Sequence, residues 1–455
     1  MGRSYYVDEA VEKYFTKIIQ QQKPYVTGLL IGHCSLLRDY VLLAVQTPQK
    51  EEPGEVPKQR AGPPRLDDID EEWVSIHASQ VNRMLPGGLL VVGVFLITSP
   101  ELAKESQNTL RKLLFAVDKT SRKNRLWSPG ENDPTDRAAV HVCSLTKKNT
   151  CRTFDISDPK STAKPADWKY QNTPSSWLTI DCNVHVDLII PLSSSATYQE
   201  KQKYTRQGLV QWAKELENAV ILFNGQVKDS DGDLVEEQKK SRSSAHSSPQ
   251  IISANILMTP NSVNRSTAQV QICKSTLRIQ GVVKCRGYVS SSKPKVRDAT
   301  QAIKRDLQNT LSDRCEILFE DIILNGSQHE SEKEHSPLPQ RIFIPVPGST
   351  VMFCDYVFGD ETEEDLENRI FEMLDQEVHY KALAFVEETN NRETHENEHQ
   401  PPHDSSKPNQ PSSPSNEERH TFTKGTSTKQ QNIGLLMAAA VVVLAGLISL
   451  YYLNE

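Results

Sequence analysis

A short zinc-protease motif lies near the C-terminal end of this 455-residue chain. His395, Glu396 and His399 have the HExxH spacing, in which two imidazoles bind Zn²⁺ from one face of a helix and the glutamate acts as general base. That chemistry needs a rigid helix in a walled cleft. Here the segment is acidic, poor in apolar residues and followed by Pro401-Pro402, which favours a solvated tail. We therefore predict no catalysis at this motif.

His33 and Cys34 have the side chains of a cysteine nucleophile and its general base. Adjacent residues of a strand point to opposite faces, so we interpret Cys34 as a core cysteine beside an ordinary histidine. Gly87, Gly88 and Gly93 do not form a dinucleotide fingerprint, because their spacing differs and they precede a strand.

Cysteine usage and charge exclude several further classes of protein. The eight cysteines are scattered singly through apolar stretches, with no CxxC spacing, which favours free thiols over a zinc ribbon or a disulfide framework. The formal net charge of -7 gives no reason to expect nucleic acid. We predict no cofactor, no metal and no small-molecule substrate.

One cationic cluster stands out in the second half of the chain, near Lys284 and Arg286. Its members are Lys293, Lys295, Arg297, Lys304 and Arg305. The sequence leaves two interpretations open. The cluster is either a solvated face or a contact with anionic lipid headgroups or an acidic partner.

The C-terminal segment Ile433 to Leu453 contains 21 residues and no charge. As a helix it would span roughly 30 Å, the thickness of a bilayer's hydrocarbon core. The anchor residues that we select from this segment are apolar and spread along the whole span: Ile433, Leu436, Val441, Val443, Leu447, Leu450 and Leu453. The N-terminus has no signal-peptide pattern, so we predict a tail anchor with the bulk of the chain in the cytosol. A buried core helix and a glycolipid-attachment signal are the alternatives.

Composition predicts the domain organisation. Residues 1–225 form a first domain with a Pro/Gly-rich loop at 47–65, residues 226–265 a polar linker, and residues 266–385 a second, smaller α+β unit. Residues 386–432 read as a disordered, acidic and polar tether, and 433–453 as the single transmembrane helix. At about 5–6 Å times the square root of its length, the tether would hold the body some 35 Å from the membrane.

Hydrophobic periodicity predicts an α+β chain. We expect helices at 7–20, 67–85, 101–117, 203–222 and 296–323, and a shorter helix within 364–378. We expect strands at 25–32, 39–45, 89–98, 138–145, 150–156, 178–190, 267–273, 277–290, 341–346 and 350–358. The run LLVVGVFLIT at 89–98 is too short to span a membrane and too continuous for an edge, so it predicts a central strand buried on both faces.

The order helix, YVTGLLIG, DYVLLAV, helix, GGLLVVGVFLITSP and helix resembles an MPN (Jab1/Mov34-type) domain. Active members of that family carry an H-x-H-P zinc site after the central strand. Leu96, Ile97, Thr98 and Ser99 stand at the corresponding positions, and no H-x-H occurs in the chain. The resemblance therefore implies an MPN-like fold without its metal site.

MPN domains commonly pair through a helix face beside their central strands. The resemblance thus implies a partner interface on the helix 67–85. Its candidate contact residues are Trp73, Ile76, His77 and Gln80.

A second resemblance covers nearly the whole chain. The blocks MGRSYYVDEAVEKY, VNRMLPGGLLVVGVF, GVVKCRGYVSSSKPKV and PLPQRIFIPVPGSTVMFCDY, with the apolar C-terminus, are similar to the odorant response abnormal 4 family. That family implies a tail-anchored protein of the endoplasmic reticulum that helps odorant-type G-protein-coupled receptors leave that membrane. It also implies a heterodimer with the cysteine protease specific for the ubiquitin-fold modifier.

Three functional hypotheses follow. The first is a non-enzymatic membrane adaptor that holds this protease and assists receptor trafficking. The second is a membrane-anchored MPN-type isopeptidase, which the absent H-x-H disfavours. The third is a plain trafficking adaptor without a protease partner.

Overall fold

The computed structural model describes residues 3–36, 38–50, 65–130, 133–171, 175–192, 197–235, 250–258, 275–325 and 337–386. Apart from Lys50, they belong to one compact unit. The HExxH motif, the predicted membrane segment 433–453 and all but the first residue of the predicted tether lie outside these ranges. Within the described ranges, no helix has the length and apolarity needed to span a membrane.

The first sheet is mixed and has eight strands, in the order β7-β6-β5-β4-β2-β3-β1-β8. The strands are β1 Ser4–Asp8, β2 Tyr25–Cys34, β3 Asp39–Gln46, β4 Leu90–Thr98, β5 Asp136–Cys143, β6 Asn149–Asp155, β7 Lys164–Pro165 and β8 Asp167–Gln171. Three helices flank it: α1 Glu9–Gln20, α2 Glu71–Arg83 and α3 Ser106–Asn124.

Strand β4 lies at the centre of this sheet, as its sequence predicts. It pairs antiparallel with β2 and parallel with β5, and every residue after Leu90 is buried. Val92 and Phe95 pack beneath α1, whereas Val94 and Leu96 face the cluster that contains α2 and α3. Burial on both faces explains why the run is continuously apolar instead of alternating.

The second sheet has five strands, in the order β11-β10-β12-β9-β13. The strands are β9 Trp177–Leu192, β10 Val220–Phe223, β11 Gln226–Val227, β12 Ile251–Leu257 and β13 Ser275–Ser290. All 16 residues of β13 pair antiparallel with β9. Two helices pack on one face of this sheet, α4 Tyr198–Glu217 and α5 Val296–Asn325.

A three-stranded sheet completes the body, with β14 Gln340–Pro345, β15 Met352–Val357 and β16 Ala384–Phe385 in the order β15-β14-β16. Helix α6 spans Glu363–Leu374 and begins with a capping box between Thr362 and Asp365. Short 3₁₀ turns lie at Leu66–Asp68, Leu102–Lys104 and Tyr380–Ala382. The mixed α+β fold confirms the predicted class.

The structure divides the chain differently from the predicted domain boundaries. β9, from the predicted first domain, pairs along its whole length with β13, from the predicted second unit. The predicted polar linker contains β12, whose sequence IISANIL alternates between exposed and buried residues. β10 occupies the residues where the predicted helix 203–222 ends. β1 includes Val7 and Asp8, which the sequence predicted to be the first residues of a helix. The strand predicted at 267–273 lies outside the described residues.

A buried ion pair joins the second and third sheets to the start of β4. The Asp306 carboxylate on α5 accepts two hydrogen bonds from the Arg341 guanidinium, each 2.8 Å long. It also accepts from the backbone N–H groups of Gly87 at 2.9 Å and Arg286 at 2.8 Å. Gly87 is required here because a Cβ would lie 1.9 Å from the Ala302 carbonyl oxygen.

Candidate functional site

The C-terminal end of β4 holds the positions that the resemblance to MPN domains assigns to the metal ligands. Leu96 and Ile97 are buried and offer no donor atom to a metal. Thr98 Oγ1 donates to the Ser99 carbonyl oxygen at 3.0 Å and lies 2.9 Å from His141 Nε2. Burial lowers the pKa of His141, which favours the neutral imidazole. Across the described part of the chain, no group of His, Cys, Asp and Glu residues is arranged to hold a metal ion.

Helix α2, the predicted partner interface, is largely covered within the fold. Trp73 is half-buried and its indole N–H donates to the Pro48 carbonyl oxygen at 2.8 Å, while Ile76 and Gln80 are also half-buried. His77 is only 3% exposed, and its Nε2 lies 3.0 Å from the Met373 carbonyl oxygen of α6. His77 is therefore a core residue and does not belong to a partner surface.

Burial lowers the pKa of His77 to about 4, although the hydrogen bond to Met373 opposes this shift. The ring is consequently neutral at physiological pH, with one nitrogen donating to that carbonyl. The tertiary contact with α6, which is nearly 300 residues away in sequence, is the reason that local periodicity misplaced this residue.

The predicted cationic cluster is mostly paired with acidic groups. Lys295 contacts Asp233 at 2.8 Å, and Arg297 contacts Asp231 at 3.1 Å. Arg305 pairs with Asp133, and Lys304 Nζ donates to the Glu217 carbonyl oxygen at 2.8 Å. Lys293 is exposed. The cluster thus presents far less free positive charge than its sequence indicates.

A cavity of about 100 Å³ opens between the end of β2, the loop before β4, the end of α3 and the start of α5. We call it the arginine cavity and define it by five of its lining residues: Cys34, Arg125, Trp127, Arg137 and Arg305. It lies at the N-terminal end of β4, whereas Leu96, Ile97, Thr98 and Ser99 lie at the C-terminal end of that strand. No signal in the sequence indicated this cavity, because its arginines come from three elements that are distant in the chain: the end of α3, β5 and α5.

His33 and Cys34 both line this cavity but have different partners. His33 Nδ1 lies 2.7 Å from the Gly88 carbonyl oxygen, so this nitrogen carries the proton and donates. Cys34 Sγ lies 4.0 Å from Arg137 Nη1, and burial raises the pKa of its thiol to about 12. A protonated thiol is a poor nucleophile, which agrees with the interpretation of Cys34 as a structural cysteine.

The second sheet exposes apolar side chains on the face opposite α4 and α5. Ile189 is 63% exposed, Ile251 60% and Leu257 52%. Val220, opposite Leu257 on β10, shares this outer face. The alternation in β9, where Val184 and Val186 are buried and His185 and Asp187 are not, is the sequence signal for a sheet covered on one side.

The comparisons with known proteins assign the chain to a family. The model of the family described as Odorant response abnormal 4-like matches residues 28–385. The Protein odr-4 homolog of Xenopus laevis is 56% identical over 460 residues, and that of Homo sapiens is 48% identical over 464, each match covering all of both chains. The chain belongs to the odorant response abnormal 4-like family. The matched range of this family coincides with most of the compact body described above.

More distant similarities extend beyond vertebrates. The Odorant response abnormal protein 4 of Caenorhabditis elegans is 23% identical over 323 residues, covering 68% of this chain and 64% of that protein. Among solved structures, the UfSP of C. elegans gives a TM-score of 0.42 at 9% identity, covering 83% of this chain and 57% of the other. The names of the family members are not names of enzymes.

Proposed function

We propose that this chain is a non-enzymatic adaptor of the endoplasmic reticulum membrane. In this proposal it recruits the cysteine protease specific for the ubiquitin-fold modifier and assists odorant-type G-protein-coupled receptors in leaving that membrane. Membership of the odorant response abnormal 4-like family is the observation that carries the proposal. The name of the C. elegans relative refers to an odorant response, which supports the receptor part.

The proposed body is an MPN-like domain that binds instead of hydrolysing. The antiparallel pair β2–β3, then α2, the central β4 and α3, follows the element order that motivated this comparison. At the end of β4, two of the four corresponding positions are buried aliphatic residues and a third is a threonine bonded to His141. A hydrolytic zinc site needs about three protein ligands, which these side chains do not supply. This disfavours the membrane-anchored isopeptidase.

The proposed membrane attachment rests on the uncharged segment 433–453. A protein partner held by the body would then be concentrated near membrane-bound targets without any further contact. The partner surface must lie elsewhere than at His77, because that side chain is buried.

Affinity capture of the intact, tagged chain from membranes, followed by mass spectrometry, tests the proposal. We expect the protease specific for the ubiquitin-fold modifier in the capture, and we expect it to leave the membrane fraction when the chain is deleted from the cell. A protease that stays on the membrane without this chain would contradict the recruiting role. Turnover of isopeptide-linked modifier by the purified chain would contradict the non-enzymatic role.

A further inference from the structure

The arginine cavity has more positive than negative charge on its walls. Its lining includes five arginines and three aspartates. Each aspartate already has an arginine partner within the lining: Asp118 with Arg122 at 2.7 Å, Asp133 with Arg305, and Asp298 with Arg297 at 3.7 Å. Arg125 and Arg137 have no carboxylate partner in the described lining, which holds two more arginines than aspartates. Asp231, which also contacts Arg297 at 3.1 Å, lies outside this lining.

Arg125 is a cation held among other cations. Its guanidinium lies 4.5 Å from the centre of the Trp127 ring, and the Arg305 guanidinium lies 4.0 Å from the centre of the same ring. Among the described residues, the Arg125 side chain forms no hydrogen bond and no ion pair. Burial, together with the charges of Arg137, Arg305 and Arg122, lowers its pKa to about 10, against the opposing effect of Asp118. A half-buried charge without a counter-ion is costly unless a ligand supplies one.

Arg137 also keeps donors available. Its Nη1 donates to the Pro134 carbonyl oxygen at 2.7 Å and to the Asp136 carbonyl oxygen at 3.0 Å. Within the described part of the chain, its Nε and Nη2 form no hydrogen bond. Outside the lining, Arg3, Asp39 and Asp136 contact one another. The Arg3 guanidinium pairs with Asp39 and lies 4.0 Å from the Asp136 carboxylate. Asp118, whose charge acts on Arg125, is itself paired with Arg122, so the Arg125 and Arg137 guanidiniums both keep donors for a ligand in the cavity.

The charge surplus indicates which anion fits. A phosphate ester carries about -1.5 to -2 charges at neutral pH, whereas a carboxylate carries one. Arginine donors suit both groups, but a surplus of two is balanced by a dianion. A cavity of about 100 Å³ is large enough for a phosphate group with a small substituent.

We propose that the arginine cavity binds a phosphate group, with Arg125 and Arg137 as its cationic donors. The group comes either from a soluble phosphomonoester or from the headgroup of an anionic lipid. Trp127 holds the Arg125 guanidinium in place through its ring face, which keeps the donor oriented when the cavity is empty. This site is independent of the proposed adaptor function. It lies at the opposite end of β4 from Leu96, Ile97, Thr98 and Ser99.

The test uses the full-length chain in phosphate-free detergent micelles, with binding measured by titration calorimetry. The probes are inorganic phosphate, glycerol phosphate, acetate, and phosphatidic acid added to the same micelles. The variants are Arg125→Gln and Arg137→Gln, which remove one charge each. Arg278→Gln is the matched control, because Arg278 pairs with Asp187 on the exposed face of the second sheet.

We expect phosphate-bearing probes to bind the unmodified chain and the control equally, and to bind each cavity variant at least tenfold more weakly. Acetate should bind at least tenfold more weakly than phosphate. Phosphatidic acid binding tenfold tighter than glycerol phosphate would identify a lipid as the source, and the reverse would identify a soluble ester. Equal phosphate binding by Arg125→Gln and the unmodified chain, or acetate binding as tight as phosphate, would overturn the proposal.

Thermal unfolding without ligand separates a binding role from a structural one. Arg125→Gln removes repulsion from three neighbouring arginines and breaks no hydrogen bond among the described residues, so its Tm should equal or exceed that of the unmodified chain. A Tm well below that of the unmodified chain would show that Arg125 supports the fold, and would contradict a site built for a ligand.

Discussion

At the scale of single residues, charge pairs in this protein join distant parts of the sequence. Arg305 pairs with Asp133 and Arg297 with Asp231, so a run that reads as a cationic cluster is neutralised by residues 172 and 66 positions away. The basic residues themselves are visible in the sequence. Their partners are not, because only the tertiary fold brings the carboxylates to them. The same reason explains the missed arginine cavity and the misplaced His77.

The buried histidine should make stability depend on pH. Because the folded-state pKa of His77 is lowered to about 4, the unfolded chain binds more protons between pH 6.5 and 4. The stability due to this residue is fully present above pH 6.5 and is lost as pH falls toward 4. We expect His77→Gln to reduce the loss in unfolding free energy between pH 7 and pH 5 by about 2 kcal/mol, measured by urea denaturation.

His185→Gln is the control for this experiment, since His185 is exposed on the outer face of the second sheet. It should leave the pH dependence unchanged. An identical pH profile for His77→Gln and the unmodified chain would show that another group dominates the acid sensitivity.

The buried ion pair should be sensitive to loss of one partner. Arg341→Met leaves the Asp306 carboxylate buried without its counter-ion, so we expect the unfolding free energy to fall by about 3–5 kcal/mol. The matched change Arg278→Met removes one partner of an exposed pair and should have little effect. Chemical denaturation of both variants checks the contrast, and equal losses would refute the assigned difference in burial.

At the scale of elements, the prediction was most accurate where burial on both faces or a strict helical period fixed the pattern. β4 and α5 begin and end within a few residues of the predicted ranges. The strands that the prediction missed are each seven residues or shorter: β1, β7, β8, β10, β11, β12 and β16. Short strands contain too few residues for periodicity to appear, and their existence depends on pairing with other strands, as β1 pairs with β3 and β8, and β12 pairs with β9.

Adjacent isoleucines on β9 test the assigned faces of the second sheet. Ile190 is buried, and Gly208 of α4 packs so closely on it that a Cβ at Gly208 would lie 2.7 Å from Ile190 Cδ1. Ile189 is 63% exposed. Ile190→Ser should therefore lower the unfolding free energy by about 3–5 kcal/mol, whereas Ile189→Ser should change it by less than about 0.5 kcal/mol.

Thermal or chemical denaturation of the two variants checks this prediction with the same substitution at neighbouring positions. If Ile189→Ser were the more destabilising change, the register of β9 against β13 would be shifted by one residue.

At the scale of the whole molecule, long blocks of similar sequence indicated the family. Such blocks are more specific than any single short motif. The family match over residues 28–385 confirmed that identification. The division into domains could not be predicted, because β9 and β13 pair across 82 residues that include α4 and three further strands. Local composition marks polar segments but does not show which strands meet on either side of them.

The proposed membrane anchor leads to a prediction about insertion. Replacing Val442 and Val443 with Arg adds about 6 kcal/mol to the apparent cost of inserting the segment 433–453. The variant should move from the membrane pellet to the supernatant after carbonate extraction. The double change to Leu keeps the segment apolar and should remain in the pellet. An Arg variant that stays in the pellet would count against this segment as the anchor.

The adaptor proposal separates binding from location, and a truncation tests that separation. If the body carries the binding energy and the anchor only supplies location, a chain ending at Asn390 should bind the protease specific for the ubiquitin-fold modifier in solution but fail to bring it to the endoplasmic reticulum. Fusing an unrelated tail anchor to this truncated chain should restore recruitment. Val92→Asp should instead abolish binding, because a charge in a strand buried on both faces unfolds the body. A truncated chain that is folded by circular dichroism yet does not bind would place part of the recognition surface beyond Asn390.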